Sequence, residues 1–218
     1  MKKIGVVLSG SGVNDGTEIH EATLTLLFLD KAGVEIVCMA PDIEQYDLID
    51  HLSGQEIKNQ KRNVLKESAR IARGELKDMA QVKSSDIDGI IFPGGYGAAK
   101  NLCNFAVKGI DCKVNQEVER IIRKMHQESK PMGFICIAPV LAAKVLGEFH
   151  PQLTIGNDPD TAENIKKMGG KHIICEVKGV TVDRKNKIVS TPAYMLGPTI
   201  SKIAEGIEKL VNKVLELA

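Results

Sequence analysis

The 218-residue chain contains no tryptophan, and aromatic residues make up only 4% of it. It therefore offers little surface on which nucleobases could stack. Charge of one sign is missing too: 29 Lys and Arg stand against 28 Asp and Glu, a formal net charge of +1. That balance gives no long-range pull toward nucleic acid or an anionic membrane, so neither is an expected partner. The five cysteines, Cys38, Cys103, Cys112, Cys136 and Cys175, are odd in number and form no Cys-x-x-Cys pair. Such spacing supports neither a disulfide framework nor a zinc site, and a reducing cytosol is the expected compartment. The opening "MKKIGVVLSG" imitates a signal peptide, but its apolar core "IGVVL" is too short for one. No apolar run approaches a membrane span.

Nucleotide signatures are absent as well. The chain has no P-loop pattern. In "GSGVNDGTEIHEA" (10–22), Gly10, Gly12 and Gly16 miss the dinucleotide spacing G-x-G-x-x-G by one residue. Asp15 would also push a negative charge toward a pyrophosphate. These residues imply neither a cofactor nor a metal.

What is present is an alternation of short apolar runs with longer helical patterns. "KIGVVLS" (3–9), "VEIVCMA" (34–40), "DGIIFPGG" (88–95) and "PMGFICIAP" (131–139) read as strands. Helices are expected over 18–33, ending at Gly33, over 61–74, over 115–129 and in "VLAAKVLGEF" (140–149). A hairpin with Lys185-Asn186 at its turn is expected over 179–191, and a tail helix over about 197–217. This order predicts an α/β fold of one domain, with a mostly parallel sheet and helices on both faces. Ligands bind such sheets at the carboxyl ends of the strands. That rule selects the loops 9–17, 41–60, 93–101 and 136–139.

Two of these loops carry chemistry. Cys136 sits where an apolar strand ends, and Pro139 suits the first turn of the next helix. A thiol there meets the positive end of a helix dipole, which favours thiolate, and stands on a sharp turn like a nucleophile elbow. In "FPGGYGAAKNL" (92–102), Gly94 and Gly95 let the backbone approach a ligand closely. An N–H from that turn and the N–H of Ile137 would make a two-donor oxyanion hole. The other four cysteines read as small buried hydrophobes.

These stretches, with "RNVLKESARIARGE", "LTIGNDPDTAENIKKMG" and "KIVSTPAYM", resemble the ThiJ/PfpI superfamily, relatives of the class I glutamine amidotransferase domain. Within it the chain is similar to the ElbB-like (enhancing lycopene biosynthesis) branch over nearly its whole length. The resemblance implies a flavodoxin-like three-layer sandwich over 1–218, with Cys136 as the elbow nucleophile and a glutamate beside it. Glu18 and Glu21 both start the first helix. Counting back from Ala32-Gly33 places the family glutamate on Glu21. The oxyanion donors carry over to the backbone of Gly95 and Ile137. Glu18, His20, Asn101 and Asn157 are candidate supporting residues, although His20 on a helix points about 100° away from Glu21.

The amidotransferase pattern also wants a late His-x-Glu pair. None follows Cys136, and His150 and His172 have no such partner. A Cys-His-Glu triad is not readable, which disfavours a glutaminase. The resemblance implies instead a cofactor-independent glyoxalase that converts glyoxal, a small aldehyde, to glycolate, and a homodimer. A redox-responsive or interaction protein that uses Cys136 without turnover is the reading from another class.

Overall fold

In β1 (Lys3–Val7) the side chains alternate between two cores: Ile4 and Val6 pack into one, Val7 into the other. A strand buried on both faces belongs in the middle of a parallel sheet. The structure, a computed structural model, describes residues 1–197 and 199–218. After β1 come α1 (Ile19–Lys31), β2 (Glu35–Ala40), α2 (Val64–Ile71), β3 (Lys77–Asp78) and β4 (Gly89–Phe92). Then follow α3 (Tyr96–Lys100), α4 (Phe105–Lys108), α5 (Gln116–Gln127), β5 (Met132–Ile135) and α6 (Pro139–Leu146). The chain closes with β6 (Gln152–Leu153), α7 (Pro159–Lys167), β7 (Lys171–His172), β8 (Thr181–Asp183), β9 (Ile188–Thr191) and α8 (Ile200–Leu217).

Seven strands form one sheet in the order β3-β2-β1-β4-β5-β9-β8, parallel except for the β8–β9 hairpin. On one face α1, α2 and α8 cover Ile4, Val6, Ile91 and Val189. On the other, α5 and α6 cover Val7, Ile90, Phe92 and Phe134. The sequence-predicted flavodoxin-like sandwich is what the molecule adopts. Gly133 lets α8 lie close on the sheet: a Cβ there would come within 2.9 Å of Leu210 Cδ2.

The expected elements form with trimmed ends. α1 stops at Lys31, and Gly33 takes the left-handed turn beyond it at φ +68°. α2 begins only at Val64, because the Asn63 side chain caps it by accepting the Lys66 N–H. The tail helix begins at Ile200, and Pro198, within the predicted 197–217, lies outside the described residues. The irregular 41–60 segment folds over the glycine turn, where Asp15 Oδ2 accepts the Ile49 N–H at 2.8 Å. The carboxyl ends of β1, β4, β5 and β9 lie side by side, and strand order reverses between β1 and β4. That is the place where an open α/β sheet leaves a crevice.

Candidate active site

Cys136 follows directly on β5 and precedes α6 by three residues. Its φ is 62°, a left-handed conformation that costs an L residue about 1–2 kcal/mol. The Cys136 N–H donates to the Thr191 carbonyl at 2.9 Å, which pins the turn to the end of β9. The residue is 7% exposed.

Three elements converge on its sulfur. From the β4–α3 turn, the Gly95 N–H donates to it, and from the elbow itself the Ile137 N–H does the same. From α1, the Glu21 carboxyl stands beside the thiol and interacts with it. Gly94 must be glycine for this to happen. A Cβ there would lie 2.5 Å from Cys136 Cβ and 2.8 Å from Glu21 Oε2.

Glu21 is fully buried in the first turn of α1. Its Oε2 accepts the Gly94 N–H at 2.9 Å and its Oε1 the Tyr194 N–H at 3.2 Å. Glu18 caps the helix, its Oε2 accepting the Glu21 N–H at 2.7 Å. Burial, and then the Glu18 charge, push the Glu21 carboxyl up to about 8, against the pull of the Tyr194 and Gly94 N–H groups. Burial also raises Glu18 above the usual carboxylate range, while the N–H it accepts from Glu21 works the other way.

The thiol departs from expectation. The helix dipole alone predicts a lowered value. Burial, and then the charge on Glu21, hold Cys136 well above the ordinary thiol range despite the Gly95 and Ile137 donors. A dipole at the mouth of an eight-residue helix does not offset full desolvation beside a carboxylate. The pair therefore resists carrying two negative charges at once.

The remaining sequence-predicted residues separate. His20 stands at the rim, its Nδ1 2.7 Å from the Tyr194 hydroxyl and 4.0 Å from Glu18 Oε1. Asn101 makes no contact with Cys136 or Glu21 among the described residues and instead ties the glycine turn together. Its Nδ2 donates to the Ser9 and Asp15 carbonyls at 2.9 Å each, and its Oδ1 accepts the Tyr46 N–H, also at 2.9 Å. Asn157 is exposed just before α7, with no hydrogen bond to Cys136 or Glu21 among the described residues.

Tyr194 is the participant that sequence reasoning missed. Its contribution to Glu21 is a backbone N–H, aimed by Ala193 at φ 42°. The one legible hint was the "STPAYM" stretch shared with the resembled branch. Among the described residues, no three His, Cys, Asp or Glu side chains are grouped to hold a metal ion. What the cluster can do is form a covalent bond through sulfur and move a proton through a buried carboxyl.

Relatives align with this chain over nearly its full length. It is 50% identical over 224 residues to the "Glutamine amidotransferase-like class 1 domain-containing protein 3, mitochondrial" of Homo sapiens, covering 99% of this chain and 83% of that one. It is 48% identical to the "ES1 protein homolog, mitochondrial" of Rattus norvegicus, covering 99% and 84%. Among solved structures, an isoprenoid biosynthesis protein with an amidotransferase-like domain from Ehrlichia chaffeensis superposes with a TM-score of 0.92 at 33% identity, covering 100% and 99%. DJ-1beta of Drosophila melanogaster shares the fold, with a TM-score of 0.58 at 18% identity, covering 100% and 95%. No family model matches the chain.

The relatives overturn one expectation. A cytosolic compartment was expected from the scattered cysteines, yet both of these relatives are named as mitochondrial. Free thiols report a reducing environment, and that is not unique to the cytosol.

Proposed function

We propose a function from one premise: the chain belongs to the family of ES1 and glutamine amidotransferase-like class 1 domain-containing protein 3, within the DJ-1/ThiJ/PfpI superfamily. Our reading is a glyoxalase that turns glyoxal into glycolate on Cys136, without an added cofactor. The observation that carries it is the buried Glu21 carboxyl, held near 8, set beside the Cys136 thiol across Gly94. A carboxyl with that value gives up and takes back a proton near neutral pH, as a shuttle must.

The chemistry needs no external oxidant. The Cys136 sulfur adds to one aldehyde carbon, and the thiol proton passes through Glu21 to the new oxygen, giving a hemithioacetal. Glu21, as carboxylate, then removes the proton from that carbon. An enediol forms, and the proton returns to the neighbouring carbon, leaving the thioester of glycolate. Water cleaves the thioester, releasing glycolate and restoring the thiol. One carbon rises from aldehyde to acid and the other falls from aldehyde to alcohol, so electrons balance.

The Gly95 and Ile137 N–H groups rest on sulfur in the free site. Once sulfur bonds to carbon its charge falls. The same donors are then free to take the negative oxygen beside it, which is the oxyanion role. A site whose sulfur is so little exposed suits a two-carbon substrate. The same reading takes residues 1–218 as one domain and the protein as a homodimer, which sedimentation of the purified chain checks.

The test is an aldehyde screen on purified protein with no cofactor added, read by product NMR. Glycolate from glyoxal with the intact chain, and none with Cys136→Ala, is the expected result. Glyoxal left unchanged by the intact chain refutes the reading.

A further inference from the structure

Two further cysteines, outside the Cys136 site, stand close together. Beyond α3 the chain doubles back on itself between residues 102 and 115. Cys103 pairs with Val114 in an antiparallel bridge. The Asn104 N–H donates to the Lys113 carbonyl at 3.2 Å, and the Lys113 N–H to Asn104 Oδ1 at 2.6 Å. The Asn115 N–H closes the base on the Leu102 carbonyl at 2.8 Å. This pin sets Cys103 and Cys112 on its two arms, Cys112 two residues from the Val114 that Cys103 faces, so the two thiols are neighbours. Neither is bridged, and both are buried from bulk solvent.

Their surroundings differ. Cys112 lines a cleft of about 370 Å³ together with Lys113, Glu119, Arg123 and Lys144. Cys103 lines no part of that cleft, and its sulfur lies 3.4 Å from the Ala98 carbonyl. The neighbouring Cys103, and secondarily the Lys144 charge, lower the Cys112 thiol below its ordinary range. The same contact with Cys112, and burial, push Cys103 up. Cys112 thus faces a cleft with three cationic side chains, while Cys103 lies behind it, and their thiols are shifted in opposite directions.

We propose that Cys103 and Cys112 are a redox-active dithiol whose substrate is a small hydroperoxide, with Cys112 attacking and Cys103 resolving. The Cys112 thiolate attacks one peroxide oxygen and the O–O bond breaks. A sulfenic acid remains on Cys112, and the departing hydroxide takes a proton from solvent to become water. The Cys103 thiol then attacks the sulfenic sulfur, an S–S bond forms and a second water leaves. Two thiols and one hydrogen peroxide become one disulfide and two waters. The sulfurs lose the two electrons that the peroxide oxygens gain. This site is separate from Cys136 and does not rest on the glyoxalase reading.

The test treats the intact chain with stoichiometric hydrogen peroxide, blocks free thiols and maps tryptic peptides without reduction. Cleavage at Lys100, Lys108 and Lys113 places the two cysteines on different peptides, 101–108 and 109–113. The expected product is those peptides joined, lighter by two hydrogens than their sum. Cys112→Ser should abolish the link. Cys103→Ser should leave a sulfenic acid on Cys112 that dimedone traps. Recovery of both peptides as free thiols while Cys136 or Cys38 is oxidised overturns the proposal, as does a link between any other pair. The wild-type mapping decides the matter even where a variant folds poorly.

Discussion

The Glu21 carboxyl and the Cys136 thiol meet across Gly94, whose main-chain N–H donates to Glu21 at 2.9 Å. The nucleophile thus comes from the end of β5 and the proton carrier from α1, and the glycine between them comes from the end of β4. Each can be altered separately.

Glu21→Gln keeps the shape of the side chain and removes its proton. Turnover of glyoxal should fall by roughly 10²–10⁴, the usual worth of general acid–base catalysis. Cys136→Ala should remove turnover altogether and leave the fold intact. Comparable steady-state rates for either variant and the parent would exclude the assigned roles.

Glu18→Gln should behave differently. The amide oxygen can still accept the Glu21 N–H, so the cap survives, but the like charge that raises Glu21 is gone. The limb of the pH–rate profile assigned to Glu21, expected near 8 in the parent, should move to lower pH. A limb that stays in place would show that Glu18 does not act through its charge.

Stability should depend on pH through the same group. Glu21 is raised from an ordinary 4.5 to about 8 in the folded chain. The unfolded chain therefore ionises it first as pH rises. Its contribution is fully present below about 4.5 and is lost as pH climbs toward 8, by on the order of a few kcal/mol. Melting temperatures across this range should fall more steeply for the parent than for Glu21→Gln. Parallel curves would contradict the buried, protonated carboxyl.

Gly94→Ala places a methyl group 2.5 Å from Cys136 Cβ, closer than carbon atoms approach. The elbow or the carboxyl must move. We expect glyoxal turnover to drop at least as far as with Glu21→Gln, since a displacement of about 1 Å at a reacting centre costs about 10²-fold. Near-normal turnover would mean that the β4 turn does not set the geometry of the pair.

Thiol labelling at neutral pH should mark Cys112 ahead of Cys136, because Cys112 lines a cleft and its thiol is lowered while the Cys136 thiol is pushed up. The sequence suggests the reverse order. A helix dipole can be anticipated from the Cys136–Pro139 spacing, whereas desolvation exists only once α1 and β9 have closed around the sulfur.

The same distinction runs through the fold. Runs such as Ile4–Val7 and Gly89–Phe92 announce themselves, and Gly33 marks the end of α1. β3, β6 and β7 are two residues each, too short to show any period. Cys136 and Glu21 could be placed because a strand end and a helix end carry spacing. Tyr194 could not, because its main-chain N–H reaches Glu21 across 173 residues and leaves no side-chain signature. Asn101 misleads for a related reason: it follows the glycine turn in sequence but spends its polar atoms joining Ser9, Asp15 and Tyr46.

The left-handed backbone at Cys136 sets endurance against activity. Glycine occupies φ near 62° without the clash that any L side chain meets there. A chain selected only for surviving heat would therefore drift toward glycine at position 136, becoming hardier and inert in a single step. Cysteine at that elbow is therefore held against a standing conformational penalty, which only the chemistry of its side chain can offset.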